Sequence, residues 1–190
     1  EHWFASSSED GIIRFWDSLS GTLLQELQGH TARVWTLSFH PQGHLLASGG
    51  HDETVKLWDV DSGECVATWE GFGVVMSVSF SPDGRVLAAS SDHLIRLWDV
   101  EKKQPLLNLE GHTNVISAVK FLPNLPIDGG YTLVSASYDE TIRFWNIETG
   151  NCLQMLRPDR LYEGMNIAEV IGLSEGQKAV LQQLGARENH

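Results

Sequence analysis

The 190-residue chain carries 13 Lys and Arg against 25 Asp and Glu, a formal charge of −12, with 42% hydrophobic residues. Nucleic acids and anionic lipid surfaces are gripped by clustered cations, so this balance argues against both as partners. The length allows one domain with a true core, and no apolar run reaches the ~18 residues that a membrane helix needs.

In chain order, residues 1–28 form a partial unit: one strand before Ser8, a turn at Asp10, then GIIRFWDS at 11–18. Residues 29–70 open on Gly29-His30 and alternate apolar with polar residues through RVWTLSF. They turn at HPQGH, continue through LLASGG, turn again at Asp52, and run through TVKLWDV and CVATWEG. Residues 71–110 repeat that order with VMSVSF, SPDGR, VLAAS and LIRLWDV, and residues 111–156 with ISAVKF, TLVSAS and TIRFWNI. Alternation of period two, bounded by Gly, Pro and Asp, reads as short strands joined by turns. The segment LPNLPIDGG at 122–130 interrupts the last unit and reads as a loop insertion because of its Pro and Gly.

The units are in register. Trp16, Trp58, Trp98 and Trp145 follow one another at 42, 40 and 47 residues, each preceded at six positions by Asp10, Asp52, Asp92 or Asp139. Each unit of about 40 residues supplies four antiparallel strands, and one such sheet cannot bury both faces. Stacking the sheets about an axis solves this, so the expected fold is all-β, a partial propeller of three complete blades and one partial blade.

From Arg157 the repeat stops. Ser174 with Gln177 makes a capping box, Gly185 is a stop, and EGQKAVLQQL between them reads as a short C-terminal helix with Val180, Leu181 and Leu184 apolar. A helix of about ten residues is marginal alone, so it either caps the last blade or docks another domain. Cys65 and Cys152 occupy matching places in SGECVATW and TGNCLQML, which suggests small buried side chains in a reducing cytoplasm rather than a disulfide scaffold.

The Gly-His openings at 29–30 and 111–112, with the Trp-Asp endings at 16–17, 58–59 and 98–99, resemble the WD-repeat (WD40) family over about residues 3–156. Trp145-Asn146 departs mildly, and the third unit has Gly71-Phe72 in place of Gly-His. The resemblance implies closed discs of seven or eight blades, roughly 300 residues at this period. This chain is then a segment of a longer protein, able to self-associate if blades are missing. The run RLYEGMNIAEVIGLSEGQKAVLQQLGA resembles the end of large cyanobacterial signalling proteins in which a NACHT or NB-ARC switch domain precedes a WD-repeat array. The G-x-x-x-x-G-K-[ST] phosphate loop of such a switch does not occur in this sequence.

Ser, His and Asp recur together in these units, and they are the parts of a hydrolase triad. By resemblance they form a structural tetrad, in which the Trp indole meets Ser, Ser meets His, and His meets the turn Asp. The sets are His30, Ser48, Asp52 and Trp58, then His112, Ser135, Asp139 and Trp145. Ser6, Asp10 and Trp16 remain in the first unit, and Asp92 and Trp98 in the third, where Phe72 and Ala89 replace His and Ser. Catalysis needs one set in a cleft beside an oxyanion hole, whereas a set repeated in successive blades suits a fastener. There is no G-x-S-x-G elbow. His40, His44 and His51 sit on turns at opposite ends of a strand, which disfavours a metal site. The expectation is no enzyme, no cofactor and no metal.

Function then rests on the surface. Positions just before each turn Asp (Glu9, His51, Ser91 and Tyr138) resemble the family's top-face contacts. Arg33, Val74 and Val115 form a second equivalent set, and Trp35, Met76 and Ser117 a third. Aromatic and Arg side chains dominate interface energies, so Arg33, Trp35, His51, Met76 and Tyr138 are the candidate contacts for a protein or peptide. Trp35 and Met76 serve equally well as packing inside a ring.

Overall fold

A computed structural model describes residues 2–71, 73–127, 130–158 and 174–187. The chain divides into two compact units, residues 1–156 and 157–190.

The first unit is four antiparallel sheets taken up in chain order. Strands β1 (Trp3–Ser7), β2 (Ile13–Asp17) and β3 (Leu23–Leu27) make a three-stranded sheet. The second sheet is β4 (Val34–Phe39), β5 (Leu45–Gly50), β6 (Val55–Asp59) and β7 (Cys65–Trp69). The third is β8 (Val78–Phe80), β9 (Val86–Ser91), β10 (Leu94–Asp99) and β11 (Gln104–Leu109). The fourth is β12 (Ile116–Ile127), β13 (Gly130–Ser137), β14 (Ile142–Asn146) and β15 (Cys152–Leu156). This is the all-β, partial-propeller arrangement expected from the repeats, with one short helix in the second unit.

Each interior sheet is covered on both faces. Leu46 and Trp58 on one face of the second sheet pack against Ile13, Phe15 and Leu27 of the first. Ala47, Val55 and Leu57 on its other face meet Val78, Phe80, Leu87 and Trp98 of the third. Ala88, Ile95 and Leu97 then meet Ile116, Val119, Leu133 and Trp145 of the fourth. Burying a side chain of this size is worth about 1.5–3 kcal/mol, so these three layers hold the sheets together.

Hydroxyls on the innermost strands add a second link. Thr36 and Ser38 accept from the backbone N–H groups of Val78 and Phe80 at 3.1 and 3.4 Å. One sheet further on, Ser77 and Ser79 accept from Val119 and Phe121 at 3.1 and 3.3 Å. The small polar residues of the alternating strands thus face the next sheet and occupy donors that an edge strand leaves open.

Three expectations are corrected. The 122–130 insertion is not a simple loop: β12 continues to Ile127 and β13 begins at Gly130, with pairing irregular between Leu122 and Ile127. β12 is the edge of its sheet, the position at which a strand accommodates a proline such as Pro123. The innermost strand of the third sheet is shorter than VMSVSF, covering Val78–Phe80 only. There the N–H of Ser77 donates to the hydroxyl of Ser90 at 2.9 Å instead of joining a ladder. Cys65 and Cys152 are exposed thiols rather than buried ones, since both start the outermost strand of a sheet.

In the second unit, α1 (Glu175–Gln183) is capped as its sequence implies. The Ser174 hydroxyl accepts from Gln177 N–H, and the Gln177 side chain accepts from Ser174 N–H. The chain leaves the helix at Gly185 with φ 104°, a conformation that favours glycine. Val180 and Leu184 are exposed.

Candidate functional site

The second sheet contains one continuous chain of hydrogen bonds. The indole N–H of Trp58 donates to Ser48 Oγ at 2.8 Å, and Ser48 Oγ lies 2.7 Å from His30 Nε2. His30 Nδ1 lies 2.8 Å from Asp52 Oδ2, which also accepts from Thr31 N–H at 3.0 Å. The fourth sheet repeats this. Trp145 donates to Ser135 at 2.8 Å, Ser135 lies 2.7 Å from His112 Nε2, and His112 Nδ1 lies 2.7 Å from Asp139. Donor counting gives the direction. Indole only donates and carboxylate only accepts, so the Ser hydroxyl donates to Nε2 and the Nδ1–H donates to Asp, a neutral imidazole assigned from its partners.

Charges follow that assignment. Burial pushes His30 and His112 below the ordinary imidazole value, and the neighbouring carboxylates offset only part of it. Burial pushes Asp52 up, but hydrogen bonds from Thr31, His30 and Thr54 more than offset it and leave it below the usual range. Asp139 ends well below that range for the same reasons, with burial opposed by bonds from Thr141, His112 and Thr113.

Thr54 and Thr141, absent from the sequence-based sets, donate to Asp52 and Asp139 at 2.9 and 2.6 Å. They hold each carboxylate by its second oxygen. Their recurrence two residues after the Asp was the available signal, and it resembles ordinary turn chemistry.

The other two sheets depart from this arrangement. In the first, Trp16 donates to Ser6 at 2.8 Å, while Asp10 accepts from Arg14 and from Ile12 N–H. The Arg14 guanidinium and that N–H hold Asp10 down to about 2. In the third, Ala89 has no oxygen to receive an indole, and the structure does not place Asp92 in a tetrad. Leu94 pairs with Ser91, so Asp92 sits at φ 49° in a two-residue turn with its carboxylate against Gly73. The missing residue before Asp92 shortens the turn that positions the carboxylate in the other sheets. Trp98 is buried and stacked on Trp69 at 5.2 Å.

Burial decides what the Ser–His–Asp geometry can do. Ser48 is 0% exposed and Ser135 1%, and each hydroxyl already accepts from an indole. A nucleophile must reach a carbonyl beside oxyanion donors, which these hydroxyls cannot do. Among the described residues no group of His, Cys, Asp and Glu is arranged to hold a metal ion.

The edge bearing the Asp turns is different. Trp35 is 42% exposed and Tyr138 64%. His51 is exposed, and Met76 is half-buried just before β8. Two of the equivalent sets are neighbours: His51 N–H donates to Arg33 O at 2.8 Å, and Tyr138 N–H donates to Val115 O at 2.9 Å. The Arg33 guanidinium lies 4.7 Å above the Trp35 ring and pairs with Glu9 of the first sheet.

The family model of the WD domain, G-beta repeat, matches residues 1–17, 21–59, 63–99 and 103–146. This chain belongs to the WD40 family. Each later WD40 segment starts before the outermost strand of one sheet and ends at the Trp-Asp or Trp-Asn of the next, so repeats and sheets interlock by one strand. Among curated WD40 relatives, Protein SPA1-RELATED 3 of Arabidopsis thaliana is 35% identical over 175 residues, 90% of this chain and 20% of that protein. Eukaryotic translation initiation factor 3 subunit I of Candida albicans is 40% identical over 90 residues, 47% of this chain and 26% of that protein. Nuclear distribution protein PAC1 of Gibberella zeae is 38% identical over 140 residues, 69% of this chain and 30% of that protein. The chain thus spans less than a third of each of these relatives.

Proposed function

We propose that this WD40 segment holds a protein or peptide partner on the edge that carries the Asp turns, through Arg33, Trp35, His51, Met76 and Tyr138. The exposure of Trp35 and Tyr138, two large aromatic side chains on an edge held by buried hydrogen-bond networks, carries this reading. Rigid aromatic and Arg anchors dominate protein interfaces, because little entropy is lost in fixing them. One similar protein is named as the subunit of a larger factor, which fits a role in assembly. The work is non-covalent: the Ser–His–Asp sets are internal fasteners, and no cofactor is required. A charge of −12 favours a protein partner over nucleic acid or an anionic membrane.

The parent protein in this reading is a larger cytoplasmic signalling protein, with the tail's likeness to cyanobacterial NACHT and NB-ARC proteins as its support. Most of the matching run lies outside the described residues. The free thiols Cys65 and Cys152 fit a reducing compartment. The test is quantitative capture of partners by wild type and by Trp35→Ala/Tyr138→Ala. Loss of at least ten-fold at an unchanged unfolding temperature supports the reading, and equal capture contradicts it.

A second reading has its own observation. Phe4 on the first sheet is 51% exposed, and Ile142 and Leu156 on the fourth are each 43% exposed, at the two ends of the array. Sheets that bury such positions elsewhere would bury them here against further blades or a second copy, making this segment architectural.

A further inference from the structure

The two outer faces of the sheet array match the two halves of an interior junction. At each interior junction the forward face of one sheet meets the rear face of the next. The forward face presents a β-branched residue paired with the end of the outermost strand, as Ile13 with Leu27 and Ile95 with Leu109. The fourth sheet repeats this as Ile142 with Leu156. The rear face presents an apolar residue paired with the repeat Trp, as Leu46 with Trp58 and Leu133 with Trp145. The first sheet repeats that as Phe4 with Trp16. The interior pairs are buried, whereas Ile142, Leu156 and Phe4 are exposed and Trp16 is half-buried.

The polar links between sheets show the same fit. Innermost-strand hydroxyls of the second and third sheets accept from N–H groups on the innermost strand of the next sheet. The fourth sheet has Ala118 and Lys120 at those positions, with no hydroxyl to offer. The first sheet is three-stranded, and among the described residues it has no strand inside β1 to present such N–H groups. A forward face without the hydroxyls suits a rear face without their donors.

We propose that the forward face of the fourth sheet docks on the rear face of the first sheet of a second copy, head to tail, and that two copies close as a ring of eight sheets. This rests on the architectural reading above and deepens it by naming the faces and the partner. The partner is a second copy because the chain itself carries the face required, at matching positions. Unlike faces joined head to tail give a ring where the rotation closes and a filament where it does not. Propellers close with roughly four to eight blades. One copy supplies four sheets and leaves both faces bare, two supply eight, and three would exceed that range. Lys120 then faces no strand and keeps its charge in water, so no unpaired cation is buried.

The test is the mass of the whole chain against concentration, by light scattering and sedimentation. The samples are wild type, Phe4→Glu, Ile142→Glu and an equimolar mixture of the two variants. Both positions are exposed, so neither charge enters the packed core of a single copy. The ring predicts a wild-type mass that rises from 21.1 kDa and levels off at twice that value. Each variant alone spoils both junctions and should self-associate at least ten-fold more weakly. The mixture keeps one intact junction, between the fourth-sheet face of the Phe4→Glu chain and the first-sheet face of the Ile142→Glu chain. It should therefore form a dimer at concentrations where neither variant does. A constant monomer, a mass that climbs past two copies, or a mixture that stays monomeric would overturn the ring. Association of either variant alone at wild-type strength would do so too, because it assigns the contact to like faces or to another surface. Leu23, opposite Trp16, and Leu156 are also exposed, so Leu23→Glu and Leu156→Glu replace the first pair if either fails to fold. Partner capture through Trp35 and Tyr138 is measured separately, so failure of one reading is distinguishable from failure of the other.

Discussion

Ser48 shows how one side chain can belong to a triad geometry and have no triad function. Its hydroxyl takes a proton donor from Trp58 and gives its own proton to His30, all out of reach of solvent. Removing it leaves the indole and the imidazole unsatisfied, at roughly 1–3 kcal/mol for each orphaned group. Ser48→Ala and Asp52→Ala are therefore expected to lower unfolding stability by about 2–4 kcal/mol, measured in urea, with no hydrolytic turnover lost. Esterase activity abolished by Ser48→Ala in a folded protein would contradict the assignment. The pH dependence has a definite sign. His30 and His112 are depressed from 6.5 and Asp52 and Asp139 from 3.8, so all four bind protons more readily in the unfolded chain. Stability should be level above pH 6.5 and fall steadily below it as the histidines and then the aspartates are protonated. Ser, Asp and Trp of these networks were legible because they recur at fixed offsets, whereas His30 and His112, 22 and 27 residues before their Asp, were joined to them by the resemblance to the WD-repeat family. In the third sheet, where the sequence already lacks the His and Ser, the missing residue leaves Asp92 at φ 49° in a two-residue turn while the Trp spacing stays nearly intact. Thr54 and Thr141 escaped notice because a hydroxyl two residues past an Asp looks like any turn.

The strands were legible from alternation and turn residues, but the links between sheets were not. The hydroxyls of Thr36, Ser38, Ser77 and Ser79 read as the polar half of an alternating strand. Only the stacking reveals that each pair meets N–H groups 42 residues further on. Ser77→Ala removes an acceptor from Val119 N–H and a donor to Val119 O, so a loss of about 1–2 kcal/mol is expected. Amide exchange should quicken at Val119 while the His112 network stays protected. Unchanged exchange at Val119 would remove this link from the account. In the fourth sheet the matching residues are Ala118 and Lys120, both exposed, so the hydroxyl link is not continued beyond that sheet. The insertion was misread for a related reason: Pro and Gly signal a loop unless the strand is an edge, and edge position is a property of the sheet.

At the scale of the molecule, the array ends on apolar side chains that interior sheets would cover. Light scattering of the purified chain should give a mass above 21.1 kDa that rises with concentration, and Ile142→Glu should reduce it. A constant monomer mass across concentrations would exclude self-association. The candidate surface was legible as residue types in equivalent positions, whereas the pairing of Arg33 with Glu9 and its stacking on Trp35 needed the fold. A buried scaffold and an exposed candidate edge are separate in this structure, and one comparison tests most directly whether that edge binds: partner capture by wild type, Trp35→Ala/Tyr138→Ala and Ser48→Ala, each below its own unfolding temperature. The prediction is at least ten-fold loss for the edge variant and retained capture for Ser48→Ala. Full capture by the edge variant, with loss confined to Ser48→Ala, would contradict it.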